Sequence, residues 1–128
     1  NCMHGIGVYS FENSYYYKGS FKNNKTHGYG LFSSENGQSY EGSFKEGNIE
    51  GKGIMIYPDG RVYKGDFQDN NKNGYGVMIF PEGRIYGEGS RYEGSWKNNK
   101  RDGKGVMIYL DDGRRLEGLF KENVFIRE

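Results

Sequence analysis

Tyr40-Glu41-Gly42-Ser43-Phe44, then Gly51-Lys52-Gly53, then Tyr57-Pro58-Asp59-Gly60-Arg61: this stretch decides the fold. The same residue types recur at a spacing of 23, as Tyr17, Gly19, Phe21, Gly28, Gly30 and Gly37 before it and Tyr63, Gly65, Phe67, Gly74, Gly76 and Gly83 after it. A fourth copy runs Tyr92, Gly94, Trp96, Gly103, Gly105 and Gly113. Half copies flank the series at Gly5, Gly7 and Tyr9, and at Leu116, Gly118 and Phe120. A fixed period of ~20–50 residues marks a stacked array, in which no unit buries its apolar face alone. The 128 residues therefore read as one array: a partial unit at 1–16, units at 17–39, 40–62, 63–91 and 92–115, and a partial unit at 116–128.

The turn Tyr57-Pro58-Asp59-Gly60-Arg61 sets the register. Proline presets φ for the second position of a type I turn, and a left-handed glycine after it gives a three-residue hairpin loop with a bulge. Such a loop pairs Tyr57 with Arg61, Met55 with Tyr63, Gly53 with Gly65 and Gly51 with Phe67. Cross-strand partners share a face, so Tyr57, Met55, Tyr63 and Phe67 gather with the glycines on one side. The preceding unit follows suit, with Phe32 opposite Tyr40, Gly30 opposite Gly42 and Gly28 opposite Phe44. Glycine inside a strand signals a close approach to the backbone, and the approaching group is predicted to be an aromatic ring of the same or the next unit. The polar run Lys45-Glu46-Gly47-Asn48-Ile49-Glu50 reads as an irregular second connection. The expected fold is all-β: an elongated single-layer antiparallel β-meander of tandem ~23-residue hairpins, each adding ~10 Å. Tyr63 and Tyr92 are 29 residues apart, and the excess at 84–91 reads as an enlarged hairpin tip.

The repeated Tyr-x-Gly-x-Phe/Trp followed by Gly-x-Gly resembles the MORN (membrane occupation and recognition nexus) repeat, and the resemblance covers nearly the whole chain. Such repeats are found in junctophilins, plant phosphatidylinositol phosphate kinases, a SET-domain methyltransferase, radial-spoke heads and protist cytoskeletal scaffolds. The resemblance implies a non-enzymatic scaffold or protein-interaction module of a cytoskeletal, ciliary or membrane-apposed assembly. Its partner would be a protein, often a helix, docked on a long face, with homodimerisation as a further option. Two alternatives stay open: a module binding phosphoinositide or other anionic lipid, and an accessory domain of a lipid kinase or methyltransferase whose catalytic part lies elsewhere.

Composition narrows the function classes. Apolar residues make up 34%, while there are 12 Tyr, 8 Phe, 1 Trp and 22 Gly, which suits a thin sheet of rings over glycines rather than a two-layer aliphatic core. The lone Cys2 forms no internal disulfide and fits a reducing cytoplasm, so the expected location is cytoplasmic, at the cytoskeleton or a membrane. The opening halfway through a unit leads to the expectation that the chain is a piece of a longer protein. A net charge of +1 argues against nucleic acid as an obligatory partner. Glycine-rich phosphate cradles lead into helices, whereas each Gly-x-Gly here leads into strand residues. His4 and His27 occupy equivalent positions, shared by Glu50, Asn73 and Asp102, and stand ~10 Å apart, too far for one metal ion. No catalytic residue, metal site or cofactor is expected.

Three residue sets remain. Tyr40, Gly42, Phe44, Gly51, Gly53, Tyr63, Gly65 and Phe67 are the repeat signature and structural. Arg91, Lys97, Lys100, Arg101, Lys104, Arg114 and Arg115 outnumber Glu93, Asp102, Asp111 and Asp112, which makes 91–115 the candidate for anionic lipid or an acidic partner. Ile54, Ile56, Val77, Ile79, Val106 and Ile108 fall on the face opposite the glycines, as a candidate partner-binding stripe.

Overall fold

The computed structural model describes residues 5–11, 15–23, 25–81, 90–109 and 113–127. They form β1 (Gly5–Phe11), β2 (Tyr15–Lys22), β3 (Lys25–Ser34), β4 (Ser39–Lys45), β5 (Asn48–Ile56), β6 (Val62–Gln68), β7 (Asn71–Ile79), β8 (Arg91–Lys97), β9 (Lys100–Ile108), β10 (Arg115–Lys121) and β11 (Val124–Arg127). All eleven lie in one sheet in chain order, and every neighbouring pair is antiparallel. The array is thus a single-layer meander, and among the described residues there is no helix. Extensive packing is confined to consecutive strands, so the sheet is quasi-one-dimensional.

The register follows from the bulged loop as expected: Met55 faces Tyr63, Gly53 faces Gly65 and Gly51 faces Phe67. Tyr57 N–H donates to the Arg61 carbonyl at 2.9 Å, and Gly60, at φ 97°, closes the turn onto the Tyr57 carbonyl at 2.9 Å. Propagated across the sheet, this register aligns Gly7, Gly19, Gly30, Gly42, Gly53, Gly65, Gly76, Gly94, Gly105 and Gly118 in one row through ten strands.

Each repeat tyrosine lies over two glycines of that row. Tyr40 covers Gly42 on its own strand and Gly53 on the next, and a methyl group on Gly53 would overlap the Tyr40 ring and hydroxyl. Tyr40, Tyr63 and Tyr92 are 0% exposed, although the sheet has no second layer. Each hydroxyl donates to the carbonyl three residues on: Tyr17 to Ser20 at 2.8 Å, and Tyr40 to Ser43, Tyr63 to Asp66 and Tyr92 to Ser95 at 2.9 Å. Phe44, Phe67 and Trp96 wedge between successive tyrosines and Phe120 packs on the last of them, Tyr92, with ring centroids 5.0–5.3 Å apart, all edge-to-face. Burying one such ring removes ~150–250 Å² from water, about 4–6 kcal/mol at ~25 cal/mol/Å². The edge-to-face geometry adds only about 0.5–1.5 kcal/mol per pair. Area therefore supplies the stability, and geometry the order.

Two expectations need correction. The first glycine of each Gly-x-Gly is not covered by a ring. Between the pairs Gly42–Gly53 and Phe44–Ile49 the lone Ser43 faces Glu50, Gly51 and Lys52, a bulge that puts Gly51 at φ 89°. A methyl there would meet Ser43 Cβ at 3.4 Å, so the residue is glycine for its backbone conformation. The second connection is also regular. Lys45 pairs with Asn48 around Glu46 (φ 48°) and Gly47 (φ 86°), a two-residue type I′ turn. Asp69-Asn70, Asn98-Asn99 and Glu122-Asn123 share the same left-handed pair. The asparagine in each ties its turn to the previous hairpin. Asn70 N–H donates to the Ile49 carbonyl at 3.0 Å while its Oδ1 accepts from Ile49 N–H at 2.8 Å. Asn99 does the same with Lys72, and Asn123 with Arg101. Gly47 keeps only the backbone half, donating to Thr26 at 2.9 Å.

The long unit closes through Phe80 N–H to the Ser90 carbonyl at 2.7 Å, and Arg91 already belongs to β8. Residues 82–89, which hold most of the insertion, lie outside the described residues, as does 110–112 of the fourth tip. β11 was not anticipated as a strand; it pairs with β10 and seats Phe125 on Phe120 at 5.2 Å.

Gly53→Ala is expected to lower stability by about 3 kcal/mol, the upper end of overpacking, because a fully buried ring has to move. Gly47→Asn is expected to raise it by about 0.5–1 kcal/mol, since asparagine accepts the left-handed backbone and can complete the tie to Thr26. Urea midpoints of the two variants check both signs; equal midpoints would overturn this account of the glycine row.

Candidate functional site

Strand alternation sends the middle residue of each Gly-x-Gly, and every second residue after it, to the face opposite the rings. One cross-strand row there reads Lys18, Leu31, Glu41, Ile54, Lys64, Val77, Glu93, Val106, Glu117. The next reads Ser33, Ser39, Ile56, Val62, Ile79, Arg91, Ile108, Arg115. All six aliphatics named from the sequence stand in these rows. Ile54, Ile56 and Ile79 are 37%, 41% and 36% exposed, while Val77, Val106 and Ile108 are half-buried. Leu31, which the sequence places in the same aliphatic series, stands in the first row as well. Sequence reasoning missed the protruding Tyr29 and Tyr75, and Val62, which joins Ile56 to Ile79; the alternation and register already at hand would have found all three. Over β7–β10 this face forms a groove of about 540 Å³, floored by Gly94, Gly105 and Gly118 and walled by Tyr75, Glu93, Lys104, Val106, Glu117 and Leu119.

The basic residues of 91–115 are not brought together. Lys97 and Lys100 face each other across the Asn98-Asn99 turn and are exposed, with Asp102 and Glu122 on the same edge. Arg91 and Arg115 flank Ile108 on the outer face, and each bridges a glutamate of its own strand, Glu93 at 3.6 Å and Glu117 at 3.5 Å. Lys104 lines the groove, and Arg114 stacks on Tyr109 at 4.3 Å at a hairpin tip. Arg101 lies on the ring face, 6% exposed, donating to the Asn123 carbonyl at 3.0 Å, and is therefore not part of a surface patch.

The histidine position is structural. His27 Nδ1 accepts from Glu46 N–H at 3.2 Å, as Glu50 Oε1 accepts from Asp69 N–H at 3.3 Å and Asp102 Oδ2 from Glu122 N–H at 3.4 Å, each steadying the next turn. His4 lies outside the described residues, among which no cluster of three or more His, Cys, Asp or Glu side chains is placed to hold a metal.

The family model described as the MORN repeat matches residues 3–14, 17–39, 40–60, 63–83 and 92–114. The chain belongs to the MORN-repeat family. No curated protein matches it. MORN repeats occur in scaffold and membrane-associated proteins, and the repeat is in general a non-catalytic module.

The ring face of this MORN array carries one group the sequence analysis did not single out. Lys72 faces Phe67, in the position that holds Thr26, Ile49, Arg101 and Phe125 in the other repeats. It is only 7% exposed, with Nζ donating to the Tyr57 hydroxyl at 2.7 Å. The ammonium lies 5.0, 5.5 and 5.8 Å from the ring centroids of Tyr57, Trp96 and Tyr63. Among the described residues no carboxylate bridges it. Burial, and to a lesser degree the Arg61 charge, brings its pKa down from 10.5 to about 8. Burial pushes the hydroxyls of Tyr40 and Tyr92 up from 10.0 to about 12.

These shifts set a pH optimum. Between pH 8 and 10.5 the unfolded chain holds the Lys72 proton and the folded one does not, so stability rises with pH there. Between pH 10 and 12 the unfolded chain loses tyrosine protons that the folded one keeps, so stability falls. The melting temperature is expected to peak near pH 10. Lys72→Ile, which copies Ile49, should stabilise by about 1–2 kcal/mol at pH 7 and remove the rising limb. Thermal melts from pH 7 to 12 measure both; a variant that keeps the rising limb would mean that Lys72 does not cause it.

Proposed function

We propose that the MORN array is a non-catalytic docking scaffold that holds a helical segment of a partner protein across its outer face. The observation that carries this reading is the row Leu31, Ile54, Val77, Val106, with one aliphatic on every second strand. Two strand spacings span ~9.6 Å. Seven residues of helix rise ~10.5 Å. A helix laid across the strands thus presents one apolar side chain per heptad to each of these positions. The adjoining patch of Ile56, Val62 and Ile79 widens the contact, and Glu41, Lys64 and Glu93 in the intervening strands set its register through charge. The rings lie on the opposite face, so docking disturbs nothing that holds the fold together. A cytoplasmic scaffold beside the cytoskeleton or a membrane suits such a rigid strip.

The double variant Ile56→Lys/Ile79→Lys is expected to melt as cooperatively as the parent and to lose at least tenfold in affinity for the protein captured by the wild-type array in a pull-down. Capture left intact in the double variant would place the docking surface elsewhere. Sedimentation with phosphoinositide vesicles, abolished by Lys97→Gln/Lys100→Gln but not by the double variant, would replace a protein partner by an anionic lipid surface.

A further inference from the structure

Lys72 stands in a slot on the ring face that Ile49 and Phe125 fill with apolar side chains and Thr26 and Arg101 with polar ones. A buried ammonium lowers stability unless acceptors surround it. Among the described residues Lys72 has one acceptor, the Tyr57 hydroxyl at 2.7 Å. That oxygen, taking the lysine hydrogen, still has its own O–H to donate, and among the described residues nothing accepts it. On the same Tyr57 ring lies a second cation: the Arg61 guanidinium carbon is 4.6 Å from the centroid, against 5.0 Å for Lys72 Nζ. Arg61 uses its Nε on Asp59 at 2.8 Å, and its side chain stays 39% exposed at the mouth of the hairpin tip. An ammonium, a phenol and a guanidinium therefore lie around the one Tyr57 ring with spare donors, and Lys72 is more than nine-tenths buried.

We propose that Lys72, Tyr57 and Arg61 form a binding site for an oxyanion, the carboxylate or phosphate group of a ligand that enters beside Arg61 at the hairpin tip. Charge-assisted hydrogen bonds from the two cations and the phenol satisfy the donors together and offset the burial of the ammonium. The aromatic floor of Tyr57, Tyr63 and Trp96 keeps water from competing. This site lies on the ring face, opposite the aliphatic rows, so it is independent of the helix-docking reading, and both ligands can be bound at once.

The test is an NMR titration of the Lys72 side chain with acetate and, separately, inorganic phosphate, with ionic strength held constant by chloride. The expected result is a saturable shift of the Lys72 signals with at least one anion, accompanied by a titration midpoint at least one pH unit higher. Binding should weaken several-fold in Arg61→Gln and in Tyr57→Phe, and vanish in Lys72→Ile. The anion that saturates at the lower concentration names the ligand group. Signals that drift without saturation for both anions would overturn the site. So would saturable binding that survives Lys72→Ile, Arg61→Gln and Tyr57→Phe, each first shown to melt cooperatively.

Discussion

A tyrosine ring lying flat over two glycines is the contact on which every repeat depends. A β-sheet usually buries one face against a second layer of structure. Here the backbone supplies its own cover. Where two adjacent strands both carry glycine, the space a pair of Cβ atoms would fill takes a ring instead, and Tyr40, Tyr63 and Tyr92 become fully buried on a single layer. The hydroxyl that would otherwise be lost to burial finds a carbonyl three residues along. Burial of an aromatic ring costs little side-chain entropy for its area, so few residues per repeat suffice.

Much of the rest follows from that contact. The phenylalanine or tryptophan two residues on from each such glycine fills the gap to the tyrosine of the repeat before, which turns separate hairpins into one continuous line of edge-to-face rings. Because all of the cover lies on one side, the other side is left with whatever alternation puts there. In this chain that is a row of aliphatics separated by charges, with tyrosines protruding beside it. The cover that stabilises the sheet thus lies on one face of the single layer, and the exposed aliphatic rows lie on the other. An outer-face residue can change without touching the rings, whereas a change in the glycine row cannot be absorbed locally.

The asparagine ties and the charged residues show where residue type and neighbourhood part company. Asn70, Asn99 and Asn123 carry two bonds apiece to the hairpin before them, so the I′ turns join repeats as well as strands. Arg101 sits in a stretch of sequence rich in basic residues, yet the slot opposite Trp96 faces the rings and takes it out of solvent. Lys72 shares that slot one repeat earlier and meets Tyr57 from 15 residues away, which a pattern of period 23 does not relate.

The period, the bulged Pro58-Asp59-Gly60 loop, the pairing of Gly53 with Gly65 and the sorting of rings and aliphatics onto two faces were all legible from residue order. Turn chemistry and a side-chain period of two are local properties, and a repeat multiplies them without ambiguity. The separate reason for Gly51, the regular I′ turn at Glu46-Gly47 and the strand at Val124–Arg127 were not legible. They depend on how many residues one strand sets against its neighbour, which is settled between strands rather than within one. The dispersal of Arg91, Lys97, Lys100, Arg101, Lys104, Arg114 and Arg115, and the arrival of Lys72 beside Tyr57 and Arg61, which the turn alone already pairs, were decided only by the folded sheet. Long cationic side chains take their place from the surfaces within reach, and those surfaces exist only once neighbouring repeats have packed.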